Sequence, residues 1–170
     1  MRSFALGVTL VLIGGGCAAQ PGLGYRFDTG HDTEYRTIAV PVFENHTYEV
    51  GLEAELTEAV VKEIQRTTNW SVTSVSNADT VLTGVITAAD MKILARSRAT
   101  GLVEELLYSI TLDFEWRDRS AGEPLTRRRG FTASGAFVPA NQTGERIDVG
   151  RYAAVQAVAR DIVAELRTNW

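Results

Sequence analysis

The strongest pattern in the chain runs from Glu104 to Arg117. Leu106, Tyr108, Ile110, Leu112, Phe114 and Trp116 occupy every second position, and Leu107, Ser109, Thr111, Asp113, Glu115 and Arg117 fill the alternate ones. A period of two marks a β-strand with one buried and one wet face. Large apolar side chains on one face, each worth about 1.5–3 kcal/mol when buried, place this strand at the centre of the core. It exceeds the usual strand length, so it is expected to bend or to project beyond its sheet.

Weaker runs supply its neighbours. Arg36 to Phe43 places Ile38, Val40 and Val42 on one face. Pro41 has no N–H for a ladder and favours an edge or a strand end. Trp70 to Val75 is a short β-branched strand, and Thr80 to about Ile93 is another. Gly84 inside it points to a bulge or a close approach. Pro124 to Val138 returns as a partner strand in which Leu125, Phe131 and Phe137 share parity, and Pro139 to Gly144 is the loop that leaves it.

Two stretches change period. From Glu49 to Thr67, the residues Leu52, Leu56, Ala59, Val60 and Ile64 recur at spacings of three and four, and Glu58 precedes Lys62 by four. That is an amphipathic helix with a supporting ion pair. A second helix is expected over Asp148–Asn169, with Asp148 as its N-cap. Its stripe is Tyr152, Val155, Ala159, Ile162, Val163, Leu166 and Trp170. Trp116 and Trp170 are expected in the core. The order is β-α-β-β-β-β-α. Two helices with single stripes need one sheet face to cover. The expectation is an α+β two-layer sandwich over residues 36–170, a four- to five-stranded sheet with two long helices packed on one face.

Composition narrows the function. A chain of 170 residues suits one domain. With 45% hydrophobic and 22% charged residues it is neither disordered nor fibrous. A net charge of −4 and a pI of about 5.2 argue against a nucleic-acid partner. One cysteine excludes an intramolecular disulfide, and His31 and His46 beside it leave no metal-binding spacing. His31 falls in a polar tether and His46 in a turn, so neither is a fixed general base. Glu104 and Glu105 point to opposite faces of a strand. Gly22-Leu-Gly24 is followed by Phe27 where a dinucleotide loop needs glycine. No catalytic residue, cofactor or metal is assigned, and the chain reads as a binding protein rather than an enzyme.

Two basic clusters remain. Arg127, Arg128 and Arg129 lie in a strand, with Arg127 and Arg129 on one face. Lys92, Arg96 and Arg98 lie near the connection between the two long strands. Guanidinium groups bind phosphate bidentately, so both clusters suit a phosphorylated glycolipid head group. The same charges equally suit a solvated strand edge that resists aggregation.

The N-terminus carries an address. Met1-Arg2 is basic, Phe4 to Ile13 is mostly apolar, and Gly14, Gly15 and Gly16 precede Cys17. The apolar run is too short to span a bilayer, which takes about 20 residues. It has the length of a signal-peptide core. A lone Cys after small residues resembles a bacterial lipobox. That resemblance implies cleavage of residues 1–16 as a signal peptide and lipid attachment at Cys17. Several acyl chains, palmitate in kind, would then make a durable membrane anchor. Residues 17–35 become the lipidated Cys and a polar tether with Pro21, Gly22, Gly24 and Gly30. An ordinary secretory signal with an incidental Cys is the other reading.

Thr37-Ile-Ala-Val-Pro-Val-Phe-Glu-Asn45, Gly51-Leu-Glu-Ala-Glu-Leu-Thr57, Ala78-Asp-Thr-Val-Leu-Thr-Gly84 and Gly24-Tyr-Arg-Phe27 resemble the LptE family of lipopolysaccharide-assembly outer-membrane lipoproteins. The resemblance implies a small sheet with two helices on one side, seated as a plug in an LptD-type β-barrel on the periplasmic side of the outer membrane. It implies lipopolysaccharide as ligand, with basic residues at the contact. The polar face of Ser109, Thr111, Asp113, Glu115 and Arg117 would meet a polar barrel lumen. Ile38-Ala-Val-Pro-Val-Phe-Glu-Asn45 also looks like the first strand of lipoprotein cofactors of peptidoglycan synthases and secretion channels, which is the alternative.

Overall fold

The structure, a computed structural model, describes residues 35–120, 124–139 and 147–168. The signal segment, Cys17, His31, most of the tether and Trp170 lie outside the described residues.

The elements are β1 (Thr37–Ala39), β2 (Glu44–Asn45), α1 (Leu52–Thr67), β3 (Ser71–Val72), β4 (Thr80–Arg96), β5 (Val103–Asp118), β6 (Pro124–Phe137) and α2 (Ile147–Thr168). The strands form one mixed sheet in the order β3-β1-β4-β5-β6, with β2 also on β4. β1 runs parallel to β3 and β4, and β2 runs parallel to β4. The β4-β5 and β5-β6 pairs are antiparallel. The fold is therefore α+β with two helices.

The sheet has six strands, not four or five, because the first apolar run divides. Pro41 falls in the gap between β1 and β2. Past it, the Phe43 amide leaves the ladder and donates to Thr57 Oγ1 on α1 at 3.0 Å. Thr57 in turn donates to the Glu53 carbonyl at 2.6 Å, so the buried hydroxyl is used twice.

The alternation in β5 is realised. Tyr108, Ile110, Leu112, Phe114 and Trp116 are all buried, in one cluster with the stripes of both helices. Gly84 pairs with Phe114 in regular register, so it is no bulge. It is a close approach: a β-carbon there would stand 3.2 Å from the Phe43 ring. The bulge falls three residues on, where Thr87 drops out of the ladder between Ile86 and Ala88.

β6 departs from its expected parity. Leu112 pairs with Phe131 and Phe114 with Arg128, so Arg129 and Gly130 together oppose Asp113. Gly130 has φ 61°, which suits glycine, and its amide donates to Asp113 Oδ1 at 2.7 Å. The extra residue moves Arg128 onto the helix side, where it reaches Glu165 of α2.

α1 begins at Leu52 rather than Glu49, because Asn45 organises the preceding turn. Its Nδ2 donates to the Glu49 carbonyl and to Glu53 Oε2, each at 2.8 Å. The Glu58–Lys62 pair forms at 2.6 Å. α2 buries Val155, Ala159, Ile162, Val163 and Leu166 as expected. Two details differ. Asp148 lies inside the first turn of α2, and Tyr152 is 65% exposed rather than part of the buried stripe. Small residues take the buried positions instead, Gly150 against Phe137 and Ala154 against Gly135.

Candidate functional site

β4 and β5 outrun everything else in the fold. The β6 ladder ends where Phe137 meets Leu106, and Gly150 in the first turn of α2 already lies against Phe137. Beyond Leu106 the hairpin continues to Arg96 and Val103 as a ribbon in which, among the described strands, only β4 and β5 pair. Register keeps Met91 across from Tyr108 and Ile93 across from Leu106, on the same side of the sheet as the core. No described helix covers them there, and they are 42% and 46% exposed. Leu94, at the second bulge, and Leu102, beside the turn, are exposed as well.

The Lys92, Arg96 and Arg98 cluster sits on this ribbon. Lys92 pairs with Leu107, on the face opposite Met91 and Ile93. Arg96 Nη1 donates only to the Gly101 carbonyl, at 3.4 Å. Neither the Lys92 nor the Arg98 side chain has an ion pair or hydrogen bond among the described residues. The ribbon thus combines an apolar ledge with cations that form no ion pair among the described residues, although Asp90, Glu104 and Glu105 share the hairpin. Such a pairing is what an amphiphile with acyl chains and a phosphorylated head group requires.

The other cluster is used differently. Arg127 Nε donates to Glu115 Oε2 at 2.6 Å, and Glu115 also takes Arg117 at 2.7 Å. Arg128 is paired with Glu165. Arg129 alone of the three has no carboxylate partner among the described residues. It lines an open depression of about 330 Å³ on the wet face of the sheet, with Glu44 and Asp113 among its walls. The two clusters do not meet. Arg127 lies across from Glu115 and Lys92 across from Leu107, eight positions apart on β5, or roughly 26 Å.

More exposed apolar side chains lie toward the same end as the ribbon. Tyr48 and Val50 precede α1, and Ile147, Val149 and Tyr152 open α2. Arg151 joins the two segments. Its Nε and Nη2 donate to Glu55, each at 3.0 Å, and Nη2 to the Val50 carbonyl at 3.2 Å. Beneath them the Tyr108 hydroxyl is buried with no hydrogen-bond partner among the described residues, and burial pushes its pKa up.

At the opposite end, Tyr35, Arg36 and Thr37 are held by a clamp that sequence reasoning missed. Tyr35 packs edge-on against Trp116, which stacks on Trp70, with centroids 6.1 and 5.6 Å apart. Tyr35 Oη donates to Asp118 Oδ2 at 3.0 Å. Asp79 Oδ2 accepts the amides of Arg36 and Thr37, each at 3.0 Å. Hydrogen bonding with the Thr37 side chain, then with those amides, holds the Asp79 carboxyl below its ordinary pKa. These partners are about 40 to 80 residues apart in sequence, and no local pattern links them.

His46 is exposed, 3.7 Å from Glu44. Among the described residues no group of His, Cys, Asp and Glu could hold a metal ion. No described helix is long and apolar enough to cross a membrane.

The sequence profile of the LptE family, described as lipopolysaccharide-assembly, matches residues 35–168. No curated protein matches the sequence. Among solved structures, the chain is similar to the hypothetical protein CT253 from Chlamydia trachomatis, at 11% identity and a TM-score of 0.57. That alignment covers 79% of this chain and 97% of the other. It is also similar to protein XCC0632 from Xanthomonas campestris, again at 11% identity and a TM-score of 0.57, covering 79% of this chain and 85% of the other. At such identities the likeness concerns the fold.

Proposed function

The chain belongs to the LptE lipopolysaccharide-assembly family, and on that footing we propose that it binds lipopolysaccharide through the overhanging β4-β5 ribbon. The observation that carries this reading is the coincidence, on one uncovered hairpin, of exposed Met91, Ile93, Leu94 and Leu102 with the cations Lys92, Arg96 and Arg98. Acyl chains lie on the ledge, and head-group phosphates meet the cations. Lys92 and Arg98 spend no charge on internal pairs and are free to do so. Arg127 shares Glu115 with Arg117 and Arg128 pairs with Glu165, so that cluster is more engaged internally and contributes less, chiefly through Arg129.

In this reading residues 1–16 are a signal peptide, Cys17 carries the lipid, and residues 17–35 tether residues 36–170 to the periplasmic side of the outer membrane. An LptD-type β-barrel is the partner that the domain plugs and helps assemble. Its polar contact is the wet face of β5 and β6, where Ser109 bonds Ser134 and Thr111 bonds Thr132, each at 2.8 Å. The domain works by binding, without catalysis.

The test compares two triple variants of the full chain. Lys92→Ala, Arg96→Ala and Arg98→Ala together should weaken lipopolysaccharide binding by about tenfold or more, as expected for lost charge-assisted contacts. Arg127→Ala, Arg128→Ala and Arg129→Ala together should weaken it less. Unchanged affinity in the first variant, with the fold intact by circular dichroism, overturns the assignment. Cys17→Ser should release the protein from the membrane fraction.

A further inference from the structure

β6 ends the sheet. Among the described residues it pairs only with β5, so its outer edge presents a row of unpaired backbone donors and acceptors. Proteins normally blunt such an edge by keeping it short, charged, bulged or broken by proline. The opposite edge follows that practice, because β3 has only two residues. The first part of β6 follows it too, with Pro124, the Arg127–Arg129 run and the bulge at Gly130.

The remainder of β6 does not. Phe131-Thr-Ala-Ser-Gly-Ala-Phe137 contains no charge and no proline. Its register against β5 is unbroken from Leu112–Phe131 to Leu106–Phe137. Its side chains toward the wet face are Thr132, Ser134 and Ala136, all small and exposed, so nothing bulky shields the backbone. α2 packs beneath the strand, and no described strand other than β5 pairs with it. An uncharged edge with small side chains and unbroken register is a template for one more strand.

We infer that this edge is an interaction surface for an extended segment of another polypeptide, which adds to the sheet beside Phe131–Phe137 and places a carboxylate against Arg129. The backbone supplies the pairing. Arg129 supplies register, because it stands at the boundary of the uncharged run and has no carboxylate of its own among the described residues. A second copy of this chain fits less well. Antiparallel self-pairing centred on Ser134 would set Arg129 opposite Pro139, which offers no negative charge.

Residue-resolved amide hydrogen exchange tests this on the full chain, both purified and in the membranes of the cells that produce it. The alternate amides of Phe131–Phe137 that point away from β5 should exchange freely in the purified protein. In membranes they should slow by about tenfold or more, the behaviour of amides newly placed in a ladder. Arg129→Glu should remove most of that slowing while the amides paired with β5 stay protected, which controls for folding. Free exchange in both preparations overturns the inference. Slow exchange in a purified monomer shows that the chain covers its own edge, and slow exchange in a purified dimer identifies a second copy. Either result overturns it. Slowing that survives Arg129→Glu overturns the role of the carboxylate.

Discussion

Gly150 in the first turn of α2 lies so close to Phe137 of β6 that a β-carbon on it would overlap the ring. Nearby, a β-carbon on Gly135 would stand 2.6 Å from the Ala154 amide nitrogen. Glycine on both elements lets the helix sink onto the strand, and this contact sets where the helix layer stops and the bare ribbon begins. Gly150→Ala should therefore lower stability by about 1–3 kcal/mol through overpacking. That exceeds the gain of up to about 1 kcal/mol expected from alanine's helix propensity. Urea denaturation measures the sum, and adding Phe137→Leu should recover part of it. A more stable Gly150→Ala protein contradicts the contact.

Arg151 holds the start of α2 to the segment before α1 by hydrogen bonds to Glu55 and the Val50 carbonyl. Its side chain is only 19% exposed, but Glu55 is 53% exposed, so solvent screens much of the pairing. Arg151→Ala should cost about 1 kcal/mol in low salt and less at about 1 M salt. Denaturation midpoints at the two ionic strengths check this. A loss independent of salt would assign the effect to packing instead.

The Asp79 carboxyl is held below its ordinary pKa by its bonds to Thr37 and Arg36. A carboxylate lowered on folding stabilises the native state above its unfolded pKa. That contribution is lost as pH falls through the lowered, folded value. Asp79→Asn should thus lower stability at neutral pH and flatten the acid limb of the stability curve. Equilibrium unfolding of both proteins from neutral pH down into the acid range decides it. Parallel curves would remove Asp79 from the pH dependence.

Ile93 and Leu94 are 46% and 51% exposed on the ribbon. Replacing both with Ser should change stability by no more than about 0.5 kcal/mol, as at most exposed positions. Association with lipopolysaccharide should nevertheless fall, because the ledge loses apolar area. A cooperative loss of stability would show that the ledge is core, and unchanged association would remove it from the proposed site.

Much of this was legible in the residues. The period of two in Leu106–Trp116 and the period near 3.6 in Leu52–Ile64 are local consequences of backbone geometry, so both elements form where expected. The basic clusters were visible as well, but their standing was not. Arg128 pairs with Glu165, which is 37 residues away, and only the bulge at Arg129 and Gly130 turns it toward the helix. Tyr152 fits the helical stripe by spacing yet is exposed, since at that level Gly150 and Ala154 take the face of α2 that lies against β6. The aromatic clamp on Tyr35 depends on strands brought together from distant parts of the chain.

By itself the sequence determined the buried faces of β5 and α1 and the absence of a recognised catalytic motif, because those depend on neighbours one to four residues apart. Tertiary structure decided which cations lack an ion pair, how far the hairpin runs past its helices and which sheet edge is without a partner strand among the described residues. Those properties arise from register and from the depth to which α2 sinks onto β6, and both are fixed by contacts between residues far apart in the chain.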